Sequence, residues 1–172
     1  TYGLDVDSKG EAAVTLNVSL PEEATRAAGA NSALGAIGNI DVENSFDIRY
    51  ILEVYNPDGS LAKERMTKIK DTETTAAFSL RLISGRGYKF VVWADFVNQD
   101  SEDDLHYNTD ATGRGLRNVT VVTDNWTVID ESRDAYTGVA DVANFSGASS
   151  VPEINLTRPF AKLRVVTNDI KE

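Results

Sequence analysis

The chain has 172 residues and a mass of 18.7 kDa, enough for one domain that buries roughly 70% of its unfolded surface without metal or disulfide staples. A net charge of −10 and a pI near 4.6 repel phosphate backbones and anionic lipid, so nucleic acid is not an expected partner. The absence of cysteine removes disulfides, thiol nucleophiles and thiolate metal sites, and no apolar run approaches the ~20 residues of a bilayer-spanning helix.

Residues 1–11 mix Gly, Asp, Ser and Lys without period and are expected as a flexible leader, with one domain over 12–172. From 12 to 20 apolar residues alternate, Val14, Leu16, Val18 and Leu20 on one side and Ala13, Thr15, Asn17 and Ser19 on the other, as in a strand with one buried face. After Pro21, residues 22–44 are rich in Ala, Gly and Asn, with Leu34, Ile37 and Ile40 as their only anchors, and predict a long loop. Within it Thr25, Arg26 and Ala27 set a lone Arg among small residues, an accessible target for a protease. A cut after Arg26 would free the leading strand and leave two strand edges around an apolar groove that another chain's strand could fill. A loop that only connects two elements is the plainer reading of the same residues.

Residues 46–55 predict a second strand, and Asn56-Pro57-Asp58-Gly59 the clearest turn, since Pro presets φ and Gly accepts a positive one. The return strand, 61–69, completes a hairpin. Residues 74–83 carry Ala76, Phe78, Leu80 and Leu82 on one face of the next strand, which ends at the turn Ser84-Gly85-Arg86-Gly87. The run 88–97 (YKFVVWADFV) is apolar on both faces and predicts a central strand covered on both sides. An acidic loop, 98–110, then Gly113-Arg114-Gly115, lead into a predicted strand at 116–122, with 126–129 as a short extension. Weaker strands are predicted at 133–136 and 139–145, a turn at 146–150, a short strand from Ile154, a bend at Pro159 and a closing strand at 160–167. Short strands between turn signals, with almost no helical period, describe an all-β sandwich.

Chemistry is sparse. His106 is the only histidine and reads as a loop residue beside Tyr107, so two-His metal sites and His clusters are out of reach of one chain. Nucleophile-elbow, zinc-protease and phosphate-loop motifs do not occur, so no enzymatic activity is expected. Paired carboxylates such as Asp95, Asp134 and Glu53 leave a glycosidase open by residue type alone. Asp95, Asp100, Glu102, Asp103 and Asp104 have the oxygen chemistry of a Ca²⁺ loop but not its spacing, and a solvated acidic loop is the simpler reading, with neither metal nor cofactor expected. Sequons at Asn17, Asn118, Asn125 and Asn155 arise readily on outward strand faces. Trp93 lies in the most apolar strand and reads as core, which leaves Trp126 as the better candidate for an exposed ring.

The FVVWADFV strand followed by Tyr107-Asn108-Thr109-Asp110, the stretch 133–138 (RDAYTG) and the segment 156–163 (LTRPFAKL) resemble the N-terminal domain of fimbrillin-like proteins of Bacteroidales, over nearly all of 14–167. The resemblance implies a transthyretin-like β-sandwich, exported as an outer-membrane lipoprotein of the cell surface, with a signal peptide and a lipidated cysteine upstream of Thr1 and a second sandwich after Glu172. It implies removal of the leading strand by an Arg-specific protease after Arg26, and replacement of the row Val14, Leu16, Val18 and Leu20 by a strand from a neighbouring subunit. The expected role is a structural subunit, anchor or tip adhesin of a fimbria, in homo- or heteropolymers with other subunits. The alternative is a surface carbohydrate-binding lipoprotein that presents Trp126, Tyr107 and the acidic loop to a glycan.

Overall fold

Side chains that alternate with period two cannot be buried by one strand alone, and they drive the segments into two facing sheets. The structure is a computed structural model that describes residues 7, 9–21, 45–124 and 131–160. Its strands are β1 (Glu11–Ser19), β2 (Phe46–Tyr55), β3 (Met66–Lys70), β4 (Thr75–Ile83), β5 (Tyr88–Asn98), β6 (Tyr107–Asn108), β7 (Thr120–Val121), β8 (Ala135–Val142) and β9 (Ile154–Asn155). One sheet has the order β4-β1-β9 and the other β3-β2-β5-β8, while β6 and β7 form a small ribbon. Every pairing is antiparallel except β1 with β9. The all-β sandwich is the observed fold.

The sandwich core is made of the inward rows of both sheets. Val14, Leu16 and Val18 of β1 and Phe78 and Leu82 of β4 meet Ile48, Tyr50, Leu52 and Val54 of β2 and Phe90, Val92 and Phe96 of β5. β5 runs between β2 and β8 and is buried on both faces because its sheet is covered twice. Its outward row packs Val91 and Trp93 with Ile51, Tyr55, Tyr107, Leu116 and Ala135 in a second apolar cluster, supplied largely by the excursion between β5 and β8. Among the described residues the three-stranded sheet has no such cover. Ala13, Thr15 and Asn17, with Thr75, Ala77 and Ser79 beside them, are exposed, and Thr15 and Ser79 hydroxyls meet at 3.3 Å.

Four local expectations change. The predicted strand at 116–122 is a 3₁₀ turn, Gly115–Asn118, followed by only Thr120–Val121 in strand. Gly115 has φ +58°, a left-handed conformation that ends extended chain and suits glycine. The return strand of the first hairpin touches at Leu61, lapses, and resumes at Met66. The two weak candidates at 133–136 and 139–145 form one strand, β8, preceded by a 3₁₀ turn at Glu131–Arg133. The end of the expected leader is tied down: the Asp7 carboxylate accepts from the Lys9 and Glu11 amides at 2.9 and 3.0 Å and from Arg81 Nε at 3.1 Å. The predicted extension at 126–129 lies outside the described residues, as does the closing strand beyond Phe160. Among the described residues no helix is long and apolar enough to cross a membrane.

Gly138 of β8 shows what close packing of the sheets requires. An added Cβ there would come within 2.5 Å of Ile154 Cγ2 and 2.9 Å of Leu156 Cδ2, so the bare backbone lets β9 seat against β8. Gly138→Ala is expected to lower unfolding free energy by about 1–3 kcal/mol through overpacking, measured by chemical denaturation, whereas Ala77→Ser on the exposed face is expected to stay within about 0.5 kcal/mol of the parent.

Candidate functional site

β1 lies in the middle of its sheet. It pairs with β4 along all of Glu11–Ser19, from Glu11 against Ile83 to Ser19 against Thr75. Its other edge meets β9 only at Val18 and Ser19. The ladder extends past the strand, where the Leu20 amide donates to the Thr74 carbonyl at 2.9 Å. On the β9 side the Leu156 amide donates to the Ser19 carbonyl at 2.8 Å, and Ser19 Oγ donates to Asn155 Oδ1 at 2.8 Å. At the opposite end Lys63 pairs with Glu11 at 2.9 Å, and Arg81 Nη2 donates to the Glu11 carbonyl at 2.7 Å. The row expected to serve strand exchange is fully inside: Val14 is 3%, Leu16 0%, Val18 1% and Leu20 4% exposed, with Ala12 alongside. A slot shaped for five alternate side chains would therefore open between β4 and β9 if β1 left. Thr25, Arg26 and Ala27, the expected processing site, lie outside the described residues.

Of the carboxylates that had suggested acid/base work, Asp95 and Glu53 stand on the outer face of the other sheet and Asp134 directly precedes β8, and each is committed to an arginine. Arg49 on β2 stands opposite Asp95 on β5 and grips it with two bonds, Nε to Oδ1 at 2.9 Å and Nη2 to Oδ2 at 2.7 Å. Arg49 Nη1 then reaches Asp104 Oδ1 at 2.9 Å and the Glu102 carbonyl at 2.8 Å. Asp104 accepts from the Thr109 amide at 2.9 Å, and Arg65 donates to Thr109 Oγ1 and its carbonyl at 2.9 and 2.8 Å. Arg65 also holds Glu53 at 2.7 Å, and Glu53 Oε2 accepts from the Leu116 amide at 2.8 Å and from the Tyr55 hydroxyl. Asp134 is gripped by Arg158 Nε at 2.9 Å to both oxygens and accepts from the Tyr136 hydroxyl at 3.0 Å. These carboxylates work as clamps that hold the 99–118 excursion and the β8 flank in place.

Burial pushes the Asp95 carboxyl up from its ordinary range, and the bidentate Arg49 opposes that shift. Burial alone would lower Arg49, yet Asp95 and then Asp104 outweigh it and hold the guanidinium more firmly protonated. Among the described residues no three acidic or His side chains are grouped to hold a metal ion. The acidic loop is exposed at Asp100, Glu102, Asp103 and Asp104, as expected, and Asp104 also reaches Arg49.

One ring candidate also changes. Tyr107 is 4% exposed, edge-on to Trp93 at 5.1 Å, stacked on Phe160 at 5.9 Å, and its hydroxyl donates to the Arg133 carbonyl. It fills the second apolar cluster and presents no face to a glycan. His106 is the loop residue expected beside Tyr107, and it is buried, with Nε2 at 2.7 Å from Ser132 Oγ. Trp126 lies outside the described residues. Arg49, Arg65 and Arg158 escaped notice in the sequence. A local signal exists for Arg49 alone, since Asp47, Arg49 and Glu53 fall on one side of a strand whose other side is apolar, where a buried charge demands a partner.

The family described as "Family of unknown function (DUF6562)" matches the chain over residues 6–172. No curated protein matches it. Among solved structures, a fimbrial assembly protein from Parabacteroides distasonis overlaps with a TM-score of 0.40 and 12% identity, over 86% of this chain and 54% of that one. A protein named for cell adhesion from Bacteroides eggerthii overlaps with a TM-score of 0.40 and 13% identity, over 84% of this chain and 40% of that one. The chain thus spans about half the length of the structures it matches.

Asp95→Asn is expected to cost about 3–5 kcal/mol of stability, because it strands a buried guanidinium. Asp104→Asn, at a carboxylate 32% exposed, is expected to cost about 1 kcal/mol or less, and urea denaturation of both variants checks the ordering. Burial raises the phenols of Tyr55 and Tyr107 to about 12 from an ordinary 10.0, with Glu53 adding to the first and Asp134 to the second. A raised folded pKa favours the fold in full below the unfolded value, so this contribution is present below pH 10.0 and lost as pH climbs toward about 12. Tyrosinate absorbance followed alongside circular dichroism is expected to show these rings ionising only as the fold is lost.

Proposed function

The chain belongs to the family of unknown function DUF6562, and we propose that it acts as a subunit, anchor or tip adhesin of a cell-surface fimbria, assembling by exchange of β1. The observation that carries this reading is the placement of β1. β1 sits mid-sheet, contributes a complete alternating row to the core, and is followed directly by the stretch that contains Arg26. Here departure of β1 would leave β4 and β9 with unpaired backbone groups and an empty apolar slot.

Such a slot accepts one kind of occupant, an extended segment with apolar residues at every second position. Backbone pairing with β4 supplies sequence-independent affinity, and the pockets of Val14, Leu16 and Val18 fix register, because a one-residue slip would turn the whole row outward. Each aliphatic side chain contributes about 1.5–3 kcal/mol when fully buried, before ordering costs, which is ample for a long-lived joint between subunits. The resemblance of 133–138 and 156–163 to fimbrillin-like proteins supplies the class of assembly. Export with a lipid anchor upstream of Thr1, and a second sandwich beyond Glu172, belong to the same reading, as does a role that is not enzymatic.

Limited digestion with an Arg-specific protease tests it. The expected outcome is a single early cut after Arg26 in native buffer, followed by oligomers whose size grows with concentration in chromatography with light scattering. A synthetic peptide of residues 11–20 added in excess is expected to suppress them, and the same peptide with Asp in place of Leu16 is not. A cut chain that keeps β1 and stays monomeric at all concentrations defeats the exchange mechanism.

A further inference from the structure

A groove of about 560 Å³ opens at the end of the four-stranded sheet where β2 leaves, β5 enters and β8 leaves. Its apolar part comes from Tyr55, Tyr88, Pro57 and Val142, and its polar part from Arg117, Lys89 and Asp141. β1 contributes nothing to it, so the groove is unaffected by whether that strand is exchanged.

Arg117 is the unusual member. Its guanidinium lies over the Tyr55 ring, 4.4 Å from the centroid. Nη1 donates to the Gly59 carbonyl at 2.8 Å and Nε to the Arg114 carbonyl at 3.2 Å. Gly59 carries φ +84°, and a Cβ there would stand 3.2 Å from Nη1, so glycine serves both the turn and the approach of the arginine. Arg49, Arg65, Arg81 and Arg158 each hold a carboxylate. Among the described residues Arg117 holds none, in a chain with 27 acidic side chains. A stacked, backbone-pinned guanidinium with no carboxylate partner among the described residues is preorganised to receive a planar anion.

We propose that this groove binds a carboxylate-bearing saccharide, with the carboxylate on Arg117. Lys89 and Asp141 face each other across β5 and β8 as an exposed pair 3.5 Å apart, their side chains 53% and 71% exposed. A pair so exposed contributes little to stability. Opened by a ligand, it offers an ammonium donor and a carboxylate acceptor to sugar hydroxyls. Asp141 also argues for a sugar over an acidic peptide, because it takes hydroxyl donors and repels a second carboxylate. Pro57 and the rims of the two tyrosines give an apolar surface for a sugar face, and the volume lies within the range of small-ligand sites, about 300–1,000 Å³.

The test is a titration of the isotope-labelled chain with galacturonate, glucuronate and N-acetylneuraminate, read by amide chemical shifts. Neutral galactotriose and triglutamate serve as comparison arms. Saturable shifts confined to Gly59, Gly87, Lys89, Arg117 and Ala143 are expected with at least one acidic sugar. Arg117→Gln is expected to weaken that binding about tenfold or more, as the loss of a charge-assisted pair requires, with an unchanged thermal midpoint. Arg117→Lys is expected to restore part of it. Asp141→Asn, a change on an exposed pair, is expected to weaken the sugar but leave any acetate-induced shifts intact. The proposal is overturned if none of the three acidic sugars produces groove-confined shifts, if galactotriose binds as well, or if triglutamate shifts the same signals with equal or greater affinity.

Discussion

The bidentate bond between Arg49 and Asp95 is the constraint around which the rest of the molecule is arranged. Both groups are almost wholly buried, on adjacent central strands, beneath a covering excursion. A charge at such a depth is tolerated only when a partner and enough hydrogen bonds replace its water. The remaining donors of Arg49 reach Asp104 and Glu102, and Thr109, Arg65, Glu53 and the Leu116 amide continue the chain of bonds. The excursion between β5 and β8 thus follows the charges it must satisfy, and its apolar members Tyr107 and Leu116 are carried down onto Trp93 and Ile51.

This arrangement divides the domain into two unlike halves. The four-stranded sheet is covered on both faces and clamped by arginines on its outer one, so it has the character of a fixed platform. Among the described residues the three-stranded sheet is covered on one face only, its outward row is small and polar, and β1 has few ties beyond its ladder and its inward row. The exchange proposed for β1 falls in that half. Burial of an apolar row and pairing of a backbone edge are both satisfied equally well by a strand from outside.

The carboxylates show how residue type misleads without geometry. Asp95, Glu53 and Asp134 resemble acid/base candidates as letters, and in the fold each is spoken for by an arginine far away in sequence. Arg117 makes the opposite point. It is one basic residue among seventeen in the sequence, and its pinned state becomes visible only where the turn at Gly59 meets the Tyr55 ring.

The elements that sequence alone determined are those whose cause is local. The alternation in β1 and β4, the Asn56–Gly59 turn and the doubly apolar β5 needed no distant information, because period and turn chemistry act within a few residues. The segment from Leu116 was misread because its conformation is set by Glu53 and Asp110, which cap the Leu116 and Gly115 amides from outside it. Tyr107 was misplaced for a related reason, since a Tyr beside an acidic loop carries no sign that Trp93 waits across the sheet. Tertiary structure decided which strand lies mid-sheet, which charges meet and which rings are hidden. Those outcomes depend on register between strands tens of residues apart, and register is fixed only when both sheets close on their cores together.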